Sequence, residues 1–236
     1  MEVTRIREGL WTWSLPHPAW TPEADRPDGW PRIVNCVFHE AAGGPIVLID
    51  PLVPPDDDPE SARFFAALDR DLARTGARLA ILIANEYHGR SADLLLRRYA
   101  GTRGADIHAH ADFPKKPECR PTKRFRSGDT LPGGIVAYGL PALSPSETAF
   151  WIPAHRALAF ADAVLGTGGG AIRTVPPTWA EGGAAGRKRF DRDFLPSLKA
   201  LLDLPAEIVL TAHGEPALAG GGAALAAALE APPLGS

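Results

Sequence analysis

The sequence has 236 residues, of which 45% are hydrophobic and 22% are charged, and this composition is typical of a globular protein. Its net charge of −3 argues against proteins that bind nucleic acid or anionic membranes through general charge attraction, and no segment approaches the roughly 18 apolar residues of a membrane span. Two cysteines, Cys36 and Cys119, are too few for a disulfide framework. We therefore expect a cytoplasmic protein in a reducing environment, with neither a nucleic-acid nor a membrane partner.

The first half of the chain alternates predicted strands with predicted helices. Residues 6–14 alternate loosely between apolar and polar side chains, and residues 34–39 and 46–49 are apolar runs that predict a β-hairpin. Apolar side chains recur at helical spacing across residues 64–72, and Gly76 is expected to end that helix.

A predicted buried strand follows. Residues 79–84 form a continuous apolar run, which is typical of a strand covered on both faces. The polar residues 85–90 then lead into a helix that begins near Ser91, and residues 107–109 predict a further strand.

The second half is richer in predicted strands. Short apolar runs predict strands at residues 135–138, 149–152, 157–160 and 208–211. Residues 166–193 are rich in glycine and charge and have weak periodicity, whereas the leucines of residues 195–202 predict a helix. We interpret residues 1–236 as a single mixed α/β domain that ends in a flexible or short-helical tail over residues 220–236.

Four segments follow one another in an order that is informative. They are Val47-Leu48-Ile49-Asp50-Pro51, the strand at 79–84 with its polar loop and helix, Ala157-Leu158-Ala159-Phe160-Ala161-Asp162, and Val209-Leu210-Thr211-Ala212-His213-Gly214. In this order and spacing they resemble the metallo-β-lactamase superfamily. The resemblance implies a four-layer αββα sandwich, in which two mixed β-sheets pack face to face with helices outside.

The metal-binding motif of that superfamily is degenerate in this chain. The superfamily places T-H-x-H-x-D-H after the buried strand, and residues 84–90 here read A-N-E-Y-H-G-R. In this register Asn85 and Tyr87 replace two histidine ligands, Gly89 replaces the aspartate, and Arg90 replaces the last histidine. The next histidine ligand of the superfamily has Gly139-Leu140-Pro141 as its nearest counterpart. Only Asp162 and His213 therefore match ligand positions.

Two ligands are too few for a catalytic zinc site, which needs about three, so we expect no metal cofactor. His88 lies one position away from the ligand register. It is either a loop imidazole that caps the following helix or faces solvent, or a third ligand gained by a slip of register. In the latter case zinc or another divalent metal would be held by Asp162, His213 and His88, which are our candidate catalytic residues.

Two functions follow from the resemblance. The first is a hydrolase-like protein that lacks a metal and binds a small molecule or partner in the former active-site cleft, with Asn85, Tyr87, Arg90 and Trp179 as binding candidates. The alternative is an active hydrolase of an ester, lactone or thioester that uses a reduced, mononuclear metal site. A third hypothesis, an interaction protein, would require an exposed apolar patch formed by tryptophans. The six tryptophans are Trp11, Trp13, Trp20, Trp30, Trp151 and Trp179.

For a site without metal we predict an ion pair between Arg90 and Asp162, with nitrogen–oxygen distances under about 4 Å. A buried carboxylate without its metal would need a new cation, and the planar guanidinium of Arg90 is suited to that role.

Three other features carry weaker signals. The basic stretch 115–126 has six basic residues and one acid, and it is interpreted as a solvated loop or as a surface for an anionic ligand. His108 and His110 share one face of a predicted strand, where we interpret them as structural. His155 lies in a turn and is expected to be exposed.

Overall fold

The computed structural model describes residues 1–24, 26, 29–115, 119–141, 143–180 and 182–235. In this part of the chain the first sheet has seven strands, which lie side by side in chain order. They are β1 (Glu2–Arg7), β2 (Leu10–Pro16), β3 (Ile33–Glu40), β4 (Ile46–Ile49), β5 (Leu79–Ile83), β6 (Ala105–His110) and β7 (Lys123–Phe125).

The second sheet has five strands in the described residues, in the spatial order 14-11-10-9-8. They are β8 (Thr130–Leu131), β9 (Ile135–Gly139), β10 (Thr148–Ile152), β11 (Ala157–Phe160) and β14 (Ile208–Thr211). The strands β12 (Val164–Gly168) and β13 (Ala171–Thr174) form a separate antiparallel hairpin between β11 and β14 in the chain.

The helices follow the strands that they cover. They are α1 (Pro59–Thr75), α2 (Ala92–Tyr99), α3 (Gly183–Arg189), α4 (Leu195–Lys199) and α5 (Gly221–Glu230). A π-helical turn, Phe190–Phe194, joins α3 to α4. Helix α1 begins where the side chain of Asp58 accepts a hydrogen bond from Glu60 N, with Pro59 in the first turn, and it ends at Gly76 in the left-handed conformation.

Three apolar clusters separate four layers. In β4, Ile46 and Leu48 pack with α1 and α2, whereas Val47 and Ile49 face the second sheet, because successive side chains of a strand point to opposite faces. A third cluster lies between the second sheet and the π-helical turn, α4 and α5. Because these clusters lie helix to sheet, sheet to sheet and sheet to helix, the fold is an αββα sandwich, and the predicted fold class is confirmed.

Parallel strand pairs bring chemically active residues to one end of the sandwich. Strand β4 is parallel to β5, and β11 is parallel to β14, so the residues that follow these strands meet at their carboxyl ends. The two sheets are joined at this end, where Val34 forms an isolated bridge with His213 and Asn35 N donates to Ala212 O over 2.8 Å.

Most predicted elements coincide with observed ones, and the segment 166–193 differs. Residues 166–193 contain the β12–β13 hairpin and α3, because three consecutive glycines, Gly168 to Gly170, adopt positive φ angles and form a tight turn. The tail forms α5 over Gly221–Glu230, which buries Leu225 and Ala228.

The prediction that His155 is exposed is wrong. Its side chain is buried, and its Nε2 lies 3.1 Å from Nδ1 of His39, which belongs to β3 of the first sheet. His108 and His110 are half-buried on one face of β6, as the two-residue spacing predicted.

The structure also bears on the tryptophans, the basic stretch and the expected absence of a membrane span. All six tryptophan side chains are buried or half-buried, and none of them is fully exposed. In the basic stretch, Arg124 donates to the carbonyl oxygens of His110 and Phe113, while Lys116 and Glu118 lie outside the described residues. No helix in the described ranges combines the length and the apolar character required to cross a membrane.

Candidate functional site

Five segments meet at the end of the sandwich where the parallel strands terminate. Strands β4 and β5 are followed by Asp50 and by the loop from Asn85 to Arg90, and strands β11 and β14 are followed by Asp162 and His213. Glu147 immediately precedes β10, which is antiparallel to β11, so it lies at the same end.

Three of the predicted residues converge closely. Nε2 of His88 and Nε2 of His213 each lie 3.3 Å from Oδ1 of Asp162, and the potential ligand atoms of the three side chains all lie within 4.8 Å of one another. Oδ1 of Asp162 is buried and has no hydrogen-bond partner among the described residues. A buried carboxylate oxygen in this state is unfavourable unless a cation or proton approaches it.

The arrangement fits one metal ion. Zinc binds imidazole nitrogen and carboxylate oxygen at about 2.0–2.2 Å, so the ligand atoms of a tetrahedral site lie about 3.3 Å apart, which matches the two distances to Asp162. Catalytic zinc sites use three protein ligands and leave one position open. His88, Asp162 and His213 supply that number, so the slip of register considered for His88 brings a third donor to the site.

Asp50 orients His88. Its Oδ2 lies 2.7 Å from Nδ1 of His88, and its Oδ1 accepts a hydrogen bond from Ala84 N over 2.8 Å. Because a carboxylate can only accept, Nδ1 carries a proton, and Nε2 is the nitrogen that faces Asp162. A metal-ligating histidine is usually supported by such a carboxylate. The sequence placed Asp50 in the first resembling segment but gave it no role.

Asn85 holds the other oxygen of Asp162, and Glu147 holds Asn85. Nδ2 of Asn85 lies 2.6 Å from Oδ2 of Asp162 and 3.0 Å from Oε2 of Glu147, while its Oδ1 accepts from Tyr87 N over 2.9 Å. Oε1 of Glu147 accepts hydrogen bonds from the backbone N–H groups of Asp162 and Ala163. Sequence reasoning missed Glu147 because no motif surrounds it.

Arg90 does not pair with Asp162, so the predicted ion pair is wrong. Its Nη1 donates to Asp50 O over 3.0 Å, and its Nη2 lies 3.2 Å from Nε2 of His88. The backbone of Arg90 has φ of 33°. The guanidinium is thereby directed toward the first sheet, while Asn85 holds Oδ2 of Asp162.

A cavity of about 270 Å³ opens above these residues. Its wall is formed by His17, Trp30, Tyr87, His88, Arg90, Asp162, Trp179 and His213. Of the predicted binding residues, Tyr87, Arg90 and Trp179 therefore line the cavity, whereas Asn85 is buried beside Asp162. His17 and Trp30 were not predicted, since they lie in a proline-rich loop without a motif. The Trp30 ring contacts His213 edge-on, with centroids 5.7 Å apart.

Burial and the charges in the site strongly shift the pKa values of its titrating groups. Burial and Arg90 act to lower the pKa of His88, but the carboxylates of Asp162 and Asp50 outweigh them and raise it to about 9. Burial acts to raise the pKa of Asp162, but His88 and His213 hold it well below its usual range. Burial, assisted by the charge of Asp162, raises the pKa of Glu147 to about 8. Such perturbation is characteristic of functional sites.

Known structures share this architecture at low sequence identity. A metallo-β-lactamase from Pontibacter korlensis superposes with a TM-score of 0.65 and 14% identity, covering 98% of this chain and 99% of that one. A metallo-β-lactamase from Pseudomonas aeruginosa in its mono-zinc form gives 0.65 and 15%, covering 97% and 94%. A metallo-β-lactamase family protein from Thermus thermophilus gives 0.59 and 18%, covering 96% and 80%.

No family model and no curated protein matches the chain by sequence. The structural matches nevertheless span nearly the whole chain. The resemblance inferred from the sequence is thereby confirmed for the architecture: the chain has the metallo-β-lactamase fold.

Proposed function

We propose that the protein is a metal-dependent hydrolase of an ester, lactone or thioester, with one metal ion held by His88, Asp162 and His213. The observation that carries the proposal is the convergence of three ligand atoms within 4.8 Å around a buried oxygen of Asp162 that lacks a hydrogen-bond partner. A divalent ion there would supply Lewis-acid polarisation of a substrate carbonyl and would make a water molecule more acidic.

The protein's own side chains would hold this site in a fixed geometry. Asp50 fixes the proton of His88 on Nδ1, Asn85 holds Oδ2 of Asp162, and the edge of Trp30 packs against His213. These contacts leave two imidazole nitrogens and one carboxylate oxygen directed at one point, as metal binding requires.

The cavity limits what the site can accept. A volume of about 270 Å³ suits a small molecule or one end of a larger one. Trp30, Tyr87 and Trp179 form aromatic parts of the wall, which favours substrates with an apolar group next to the reacting carbonyl. Small esters, lactones and thioesters meet this description.

A specific contact favours a second function, a protein without metal that binds a small ligand in this cavity. Nη2 of Arg90 lies 3.2 Å from Nε2 of His88, so the guanidinium occupies the space beside the nitrogen that a metal would need. Arg90 would then stabilise the site in place of an ion. The expectation from the sequence, that no metal binds, corresponds to this alternative.

Metal analysis separates the two functions. Protein purified without chelator is analysed for zinc, iron and manganese, and the hydrolase predicts about one equivalent per chain. The same preparation is then assayed on phenyl esters, lactones and thioesters before and after chelation, with His213→Ala as the inactive control. Less than about a tenth of an equivalent, even after incubation with excess zinc or manganese, would exclude the hydrolase in favour of the second function.

A further inference from the structure

We propose that Glu147 is a positioning residue that acts through Asn85 to present Oδ1 of Asp162 to the metal ion. The inference rests on the proposed function, and it assigns a role to a buried carboxylate that no sequence motif marks. Glu147 touches neither the cavity nor the two imidazoles by any contact that the described residues show, so its effect must be transmitted.

The transmission follows a continuous chain of hydrogen bonds. Oε2 of Glu147 accepts from Nδ2 of Asn85 over 3.0 Å, and the same nitrogen donates to Oδ2 of Asp162 over 2.6 Å. The amide has only two hydrogens, and both are thereby committed to carboxyl oxygens of Glu147 and Asp162. Its oxygen accepts from Tyr87 N over 2.9 Å, which fixes which end of the amide is the donor.

A second branch of the same residue fixes the backbone. Oε1 of Glu147 accepts from the N–H groups of Asp162 and Ala163, over 3.1 Å and 3.0 Å. One side chain thus holds both the turn that carries Asp162 and, through Asn85, the rotation of its carboxylate. With Oδ2 engaged, Oδ1 is the oxygen that faces His88 and His213.

Burial makes the arrangement specific. Asn85 is 1% exposed and Glu147 is 2% exposed, so bulk water does not have ready access to replace either partner. An amide that turned by 180° would set its oxygen against the carboxylate of Asp162 and its nitrogen against the N–H of Tyr87. Such unpaired contacts are costly in the interior, and the amide therefore keeps a single orientation.

The variant Glu147→Gln tests the proposal. Its oxygen can still accept from the two backbone N–H groups, but its new NH₂ group opposes the NH₂ group of Asn85. Asn85 should then no longer hold the carboxylate of Asp162 in one rotation, while the turn that carries Asp162 stays in place. We expect zinc affinity, measured by chelator competition, to fall at least about tenfold, as is usual when the partner of a metal ligand is changed. The visible spectrum of the cobalt-substituted protein should shift as well.

Two controls separate positioning from a general loss of structure. Ser146→Ala removes a neighbouring buried hydroxyl whose side-chain contacts are with Ser144 and Glu86, and it should leave zinc affinity within about twofold. If Glu147 acts through Asn85, the double variant with Asn85→Ala should bind zinc no more weakly than Asn85→Ala alone, because residues in one network are not additive.

The outcomes distinguish this proposal from the proposed function. Zinc binding by the wild type, a weakened Glu147→Gln and a non-additive double variant would support the positioning role. If the wild type binds zinc and Glu147→Gln binds it equally well with an unchanged cobalt spectrum, the positioning role is overturned and the metal site stands. If the wild type binds no divalent metal, the proposed function is overturned, together with the inference that depends on it.

Discussion

The imidazole of His88 is held at Nδ1 by the Oδ2 atom of Asp50, 2.7 Å away, and both side chains are buried at the end of the first sheet. This pair determines which nitrogen of His88 faces Asp162. It also explains how a histidine outside the expected ligand register reaches the site. Asp50 lies at the end of β4, and its hydrogen bond to His88 holds the loop after β5 beside it.

Asp50→Asn should weaken metal binding. The amide can turn its oxygen toward Nδ1 of His88, but it then presents an NH₂ group to Ala84 N and carries no charge. Loss of the supporting carboxylate should raise the dissociation constant for zinc about 10- to 100-fold, measured by chelator competition. Asp106→Asn, which alters a carboxylate near Arg78 and Thr122 instead, is the control. Equal affinities for the two variants would contradict the role of Asp50.

Arg90→Met should have the opposite effect on metal binding. The guanidinium lies 3.2 Å from Nε2 of His88 and repels a divalent cation, so its removal should tighten zinc binding at least about tenfold. Arg78→Met, which removes a distant arginine that pairs with Asp106, should leave the affinity unchanged. Weaker zinc binding by Arg90→Met would mean that Arg90 supports the metal site and does not compete with it.

Gly214→Ala should disrupt the turn that carries His213. Gly214 has φ of 74°, and an added Cβ would overlap the carbonyl oxygen of Gly166. Gly169 has a similar φ of 61° with nothing within 4 Å of an added Cβ, so Gly169→Ala isolates the backbone cost, about 1 kcal/mol. We expect Gly214→Ala to lose at least about 2 kcal/mol more in urea unfolding. A smaller difference would show that the strands adjust to the extra atom.

The buried pair of His39 and His155 should make stability depend on pH. Burial lowers the pKa of both imidazoles from 6.5; a bond to Gly133 opposes the shift at His39, and at His155 the nearby His39 and Arg7 reinforce it. Below pH 6.5 the unfolded chain therefore binds protons that the folded chain does not. The contribution of these two imidazoles to the free energy of unfolding is fully present above pH 6.5 and is lost as the pH decreases.

The variant His155→Gln checks this dependence. It removes one of the two titrating groups while keeping a side chain that can hydrogen-bond to His39. The free energy of unfolding should fall less steeply between pH 6.5 and 5 than in the wild type, by at most about 1.4 kcal/mol per pH unit. Identical slopes in urea titrations at several pH values would show that the pair does not contribute.

Much of the fold could be predicted from the sequence because the apolar periodicity is regular. The last strand was predicted at its observed bounds, Ile208–Thr211, and Gly76 ends α1 as expected. The β12–β13 hairpin was missed because three glycines at its turn also suit an irregular loop. Whether such a segment forms a hairpin or an irregular loop depends on its packing against distant residues, which the local sequence does not reveal.

The site was only partly predictable for a similar reason. Asp162 and His213 could be placed because each follows a recognisable strand. The approach of His88 depends on a hydrogen bond to Asp50, 38 residues earlier, and the position of Glu147 depends on the pairing of β10 with β11. Arg90 was assigned to Asp162 by its register and by the chemistry of its guanidinium, whereas it contacts Asp50 O and His88 from a backbone with positive φ.

Anomalous diffraction at the zinc absorption edge, from crystals of protein loaded with about one equivalent of zinc, tests the central claim most directly. We expect a single strong peak about 2.0–2.2 Å from Nε2 of His88, Oδ1 of Asp162 and Nε2 of His213, with Arg90 displaced from His88. A peak bound by other residues would contradict it, as would ordered side chains without a peak and with Arg90 still 3.2 Å from His88.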